Sequence, residues 1–141
     1  VRLLIGTESE QAAVIRTAHE MHQADQRTAL LVLLGITGAP SFKPRPSTIL
    51  VPAMPAGVIA AIPSLEEFGI ASRLASTAGQ AGCYDGSVLE LAEQWLEALE
   101  PPLRTQVEIT VVGDAALLGA VQEIGRKFAV PVGVSSGTSQ P

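Results

Sequence analysis

The chain has 141 residues, is 47% hydrophobic but only 4% aromatic, and carries a net charge of −5 and one cysteine. That length specifies a single domain with a buried core, and the aliphatic composition suits parallel strands covered on both faces. The acidic balance without a basic run argues against nucleic acid as a partner, no apolar run reaches the roughly 20 residues of a membrane-inserting span, and the lone Cys83 fits a reducing, cytoplasmic setting.

Val1 opens almost directly into a strand, as in a domain cut from a longer protein. Residues 2–6 (RLLIG) form a short apolar run closed by glycine, a buried-strand pattern. From Glu8 to Met21 the apolar residues Ala12, Ala13, Val14, Ile15, Ala18 and Met21 fall on one helical face. Glu8 and Glu10 lie in its first turn, where the helix dipole favours acids. Residues 28–35 (TALLVLLG) are the clearest strand, so the first 35 residues read β–α–β.

Residues 36–47 carry Pro40, Pro44 and Pro46 and read as an irregular loop, the core of a proline-rich stretch over 36–56. The pattern predicts a short edge strand over 48–51 and a helix from about Gly57 to Phe68, interrupted at Pro63 and closed by Gly69. A strand over 72–76, a glycine-punctuated loop and a helix over about 87–99 follow, and Pro101-Pro102 stops that helix. Residues 107–112 (VEITVV) predict a strand, 115–128 a helix and 131–134 the last strand; the polar tail 135–141 reads as loose. The expected architecture is a three-layer α/β sandwich, one nucleotide-binding-like domain around a parallel sheet of about five strands.

In such a sheet the strand ends gather on one edge, where ligands bind. The first end is Gly6-Thr7-Glu8-Ser9: Gly6 serves either a tight turn or close approach of a ligand, and Thr7 or Ser9 either caps the helix or donates to a ligand. The second is the loop from Ser76 and Thr77 through Gly79 and Gly82 to Gly86, with Asp85 or Ser87 as helix cap. The third is Gly113-Asp114, where Asp114 suits an N-cap. His19 and His22 lack a third ligand and read as a solvated helix face, so no metal site is expected. Cys83 has no neighbouring base, and the serines show no nucleophile-elbow pattern. Lys43 and Arg45 read as loop charges. Trp95, among Leu91, Leu96 and Leu99, reads as core or interface packing.

The order of elements, with residues 66–70 (EEFGI), 82–89 (GCYDGSVL) and 111–121 (VVGDAALLGAV), resembles the nicotinamide-binding half of the ferredoxin–NADP reductase superfamily. It is most similar there to electron-transfer subunits of dihydroorotate dehydrogenase and to hydrogenase-associated flavoproteins. Gly82-x-x-x-Gly86-x-Val88 follows that family's loop pattern, and residues 128–135 (FAVPVGVS) match its closing segment. Only the proline-rich stretch lies outside the resemblance.

The resemblance implies an NAD(P)H-binding module of a flavin-dependent electron-transfer oxidoreductase, its flavin domain or redox subunit supplied from elsewhere. The nucleotide would lie over Gly6, Thr7, Glu8, Ser9, Ser76, Thr77, Gly82, Gly113 and Asp114; no catalytic residue is assigned. Three departures bear on this. The first turn reads Gly6-Thr7-Glu8-Ser9-Glu10 where the family has Gly-Gly-x-Gly-x-Ala-Pro, placing acids beside a pyrophosphate. The family's Cys-Gly-Pro falls on Val112-Gly113-Asp114. The flavin barrel's Arg-x-Tyr-Ser signature and the cluster-holding cysteines are missing, so neither FAD nor an iron–sulfur cluster is expected in this chain. The alternative is a degenerate, non-catalytic domain that assembles or regulates a redox complex; a homo-oligomer is compatible with either.

Overall fold

The computed structural model describes residues 1–37 and 42–134. Six parallel strands form one sheet in the order β6-β5-β2-β1-β7-β8, where β1 is Arg2–Thr7, β2 Leu30–Ile36, β5 Ala71–Ser76, β6 Tyr84–Asp85, β7 Glu108–Val112 and β8 Val132–Val134. The pleat sends alternate residues to opposite faces. Leu3, Ile5, Leu31, Leu33, Ile109 and Val111 meet α3 (Val88–Ala98) and α5 (Ala115–Phe128) on one side. Leu4, Val32, Leu34, Leu74 and Val112 meet α1 (Gln11–Ala24) and the single turn α2 (Pro63–Glu66) on the other. Helices thus cover both faces of an α/β sheet whose two central strands, β1 and β2, are mostly apolar, in keeping with the aliphatic composition.

The strands over 2–6, 28–35, 72–76, 107–112 and 131–134 and the helices over 87–99 and 115–128 all form, within a residue or two of their expected limits. Ser87 caps α3 in a reciprocal box: Glu90 N–H donates to Ser87 Oγ at 3.1 Å, and Ser87 N–H donates to Glu90 Oε1 at 2.8 Å. Asp114 caps α5, its Oδ1 accepting from Leu117 N–H at 2.9 Å. Trp95 lies in the core, and its indole N–H donates to the Pro52 carbonyl at 2.9 Å.

Four expectations are corrected. The sheet has a sixth strand, β6, because Tyr84 and Asp85 in the glycine loop pair with Ala75 and Ser76, a match too short to leave a pattern. The first helical turn, Glu8–Glu10, is 3-10, since no side chain caps it and Glu10 sits outside helical backbone geometry. No strand forms over 48–51. There the Glu66 carboxylate takes the Thr48 N–H at 2.7 Å and the Ser47 hydroxyl at 3.0 Å, while the short ribbon forms instead between β3 (Arg45–Pro46) and β4 (Ala60–Ala61). The helix expected from Gly57 is reduced to α2, because Ile59 and Ala60 donate their N–H groups to the Gly82 carbonyl, which holds them extended. Pro63 opens that turn at a position where a missing N–H costs nothing. Gly69 closes it at φ +76°. Pro101-Pro102 ends α3 and opens a further single turn, α4 (Pro101–Arg104). The expectations for Pro40 and for the tail from Ser135 lie outside the described residues.

The proline-rich segment is held from a distance. Arg73, on β5 and only 5% exposed, donates to the carbonyls of Val58 (3.1 Å), Ser72 (2.7 Å) and Ile49 (2.8 Å). Burial would raise the Glu66 carboxyl, but the Thr48 and Ser47 hydrogen bonds and the Arg73 charge outweigh it and hold it below the usual range.

Candidate functional site

Counting only the strands longer than two residues, the sheet order is 3-2-1-4-5: the chain winds outward from β1 through β2 to β5, then returns to place β7 and β8 on β1's other side. Strand order reverses at β1, and ligands of open α/β sheets bind beyond the carboxyl ends of strands at such a point. A cavity of about 580 Å³ lies on that edge, spanning the ends of β1, β2 and β5. Its size suits a small organic ligand.

The walls follow from the crossovers. β1 delivers Thr7, Glu8 and Ser9. β2 delivers Gly35, Ile36 and Thr37, and Gly35 lets the start of α3 pack close, since a Cβ there would stand 3.1 Å from the Val88 side chain. β5 delivers Ala75 and Thr77, and the start of α3 supplies Gly86 to Leu89. Leu117, from the first turn of α5, completes an apolar side with Ile36 and Val88. The N–H groups of Val88 and Leu89 have no acceptor within α3, because they belong to its first turn.

The expected site residues separate into two groups. Thr7, Glu8, Ser9 and Thr77 line the cavity. Thr7 and Ser9 do not cap α1; their hydroxyls lie 3.2 Å apart and bond to each other. The rest serve the frame. Gly6 is buried, and a Cβ there would collide with the Val14 side chain and stand 3.2 Å from the Val112 carbonyl. Ser76 is 1% exposed and accepts the Ala78 N–H at 3.1 Å. Gly82 turns away from the cavity at φ +76°, its carbonyl bonded to the ribbon. Gly113-Asp114 stands on the same edge and reaches the cavity only through the helix Asp114 caps. Thr37 and the Val88-Leu89 turn escaped sequence reasoning; the glycine closing residues 28–35 was the signal that a second strand ended on this edge.

Glu8 is the one ionisable side chain on the cavity wall, and no lysine or arginine lines it among the described residues. Thr37 N–H points at Glu8 Oε1 at 3.5 Å, so the carboxylate reaches from the β1 turn across to the end of β2. Chemically the wall offers hydroxyls, first-turn amides, one anionic acceptor and an apolar side. Among the described residues it offers no nucleophile–base pair. Cys83 is half-buried, and burial pushes its thiol up, so little thiolate forms at neutral pH. His19 stacks edge-on against Phe68 at 4.7 Å, and no group of three or more His, Cys, Asp or Glu residues able to hold a metal occurs among the described residues. No described helix is long and apolar enough to cross a membrane.

Comparison with protein-family models, with curated proteins and with solved structures finds no match to this chain.

Proposed function

We propose that this domain is the NAD(P)H-binding module of a flavin-dependent electron-transfer oxidoreductase, of the ferredoxin–NADP reductase type, with the flavin held by another domain or subunit. One observation carries the reading: the cavity opens on the carboxyl edge of a 3-2-1-4-5 parallel sheet, beyond the ends of β1, β2 and β5 and beside the reversal between β1 and β7. The wall fits such a ligand. The first-turn amides of α3 suit a phosphate, the Thr7, Ser9, Thr37 and Thr77 hydroxyls suit sugar oxygens, and Ile36, Val88 and Leu117 suit a flat ring.

A bound nicotinamide supplies a hydride; the chain's own part is to bind and orient it. Val112, which stands where the resembled family has its cysteine, is wholly buried under α1, and the wall offers no thiol among the described residues. The isolated domain therefore binds without turning over. The alternative of a non-catalytic assembly domain draws on the acidic first turn and on an apolar groove at the opposite sheet edge, beside Leu50, which is 90% exposed.

Calorimetric titration with NADH and NADPH, paired with thermal unfolding, separates the two. Saturable binding together with a raised melting temperature supports the nucleotide module, since a ligand at 100 times its Kd adds about 2.7 kcal/mol. No heat and no thermal shift with several millimolar of either nucleotide contradicts it.

A further inference from the structure

The sign and position of charge on the cavity wall go further than the nucleotide reading, on which this inference rests. We infer that Glu8 makes the cavity select nucleotides with a free ribose diol over those with a phosphorylated ribose, so that NADH is taken in preference to NADPH. A carboxylate only accepts hydrogen bonds, which ribose hydroxyls can donate and a phosphate ester cannot. A phosphate beside it would place like charges together, with no cation among the described wall residues to offset them.

The geometry puts Glu8 where that choice is made. In dinucleotide folds an acid beyond the second strand binds the ribose, and an arginine nearby accommodates a ribose phosphate. Here β2 ends in Gly35-Ile36-Thr37, with no acid of its own, and the Glu8 carboxylate arrives over that end from the neighbouring turn, facing Thr37 N–H at 3.5 Å. No arginine or lysine among the described residues lines the cavity to offset a phosphate. Glu10, two residues on, is exposed and does not line it.

The test is the ratio of NADH to NADPH affinity, read by nucleotide fluorescence for the natural chain, Glu8→Gln, Glu8→Asp and Glu10→Gln, each checked for cooperative unfolding. The natural chain is expected to favour NADH by about tenfold or more, equivalent to 1.4 kcal/mol. Glu8→Gln brings the ratio near unity, chiefly by improving NADPH, whereas Glu8→Asp, which keeps the charge, and Glu10→Gln leave a clear NADH preference. Equal affinities in the natural chain, an NADPH preference, or a ratio untouched by Glu8→Gln would overturn the inference while leaving nucleotide binding intact. Binding of neither nucleotide would instead overturn the reading beneath it.

Discussion

The two ends of the sheet put their polar side chains to different use. At the amino end, Arg73, Glu66 and the Trp95 indole are committed to backbone groups of the proline-rich segment, and Arg2 donates to the carbonyls of Met21, Asp25 and Thr28 where α1 runs out. At the carboxyl end, Thr7, Glu8, Ser9, Thr37 and Thr77 face a cavity. Both ends are rich in polar groups, so polarity alone does not mark the site. What separates them is how fully those groups are already engaged: Arg73 and Glu66 each hold several groups of the chain in short hydrogen bonds, whereas on the cavity wall Glu8 faces the Thr37 N–H at 3.5 Å and the Thr7 and Ser9 hydroxyls pair with each other. An end whose polar groups complete the fold is a structural end; one whose hydroxyls and first-turn amides face open space is a binding end.

Substitutions at the two ends should therefore differ in kind. The largest loss of stability is expected for Arg73→Met, which strips buried carbonyls of their donor and should cost about 3 kcal/mol in urea unfolding. Lysine should not rescue it, because one ammonium cannot reproduce the guanidinium fork. If the variant unfolds at the same denaturant concentration as the natural chain, the segment is not held as described. Gly6→Ala should come next, at about 2 kcal/mol, from overpacking between β1 and α1. Combining it with Val14→Ala should recover part of that loss, with a coupling of about 1 kcal/mol; strictly additive losses would show that Gly6 and Val14 do not compete for space.

At the binding end the stability effects should be smaller. Ser87→Ala removes one half of the α3 capping box and should cost about 1 kcal/mol, while loosening the turn that borders the cavity and so weakening nucleotide binding. The smallest expected effect is on the pH profile of the structural end. The Glu66 carboxyl is held below its ordinary 4.5, so its contribution is fully present above that value and is lost as the pH falls through the lower folded value. Glu66→Gln should flatten acid unfolding in that window and leave the neutral-pH ligand affinity alone. A natural-chain acid profile indistinguishable from the variant's would refute the assignment.

Much of the frame was legible in the sequence because its causes are local. The continuous apolar run of β2, the serine and glutamate at the head of α3, and Asp114 before α5 each act within a few residues of themselves. The segment over residues 42–62 was not legible, because its conformation is set by Arg73, Glu66 and Gly82, tens of residues away in places, and no periodicity records such bonds. The site shows the same division. Thr7, Glu8, Ser9 and Thr77 follow from the rule that strand ends share an edge. Thr37 and the Val88-Leu89 turn become neighbours only once β2 is known to lie between β1 and β5, a matter of strand pairing rather than of local pattern.

The most direct test asks where a nucleotide lands. Amide chemical shifts of the isotopically labelled domain, followed as NADH is added, should move at Thr7, Glu8 and Ser9, at Thr37, at Thr77 and through Gly86 to Leu89, and stay still at Leu30, Leu31 and residues 49–51. Shifts confined to that amino-end groove, or no shifts at saturating nucleotide, would contradict the account.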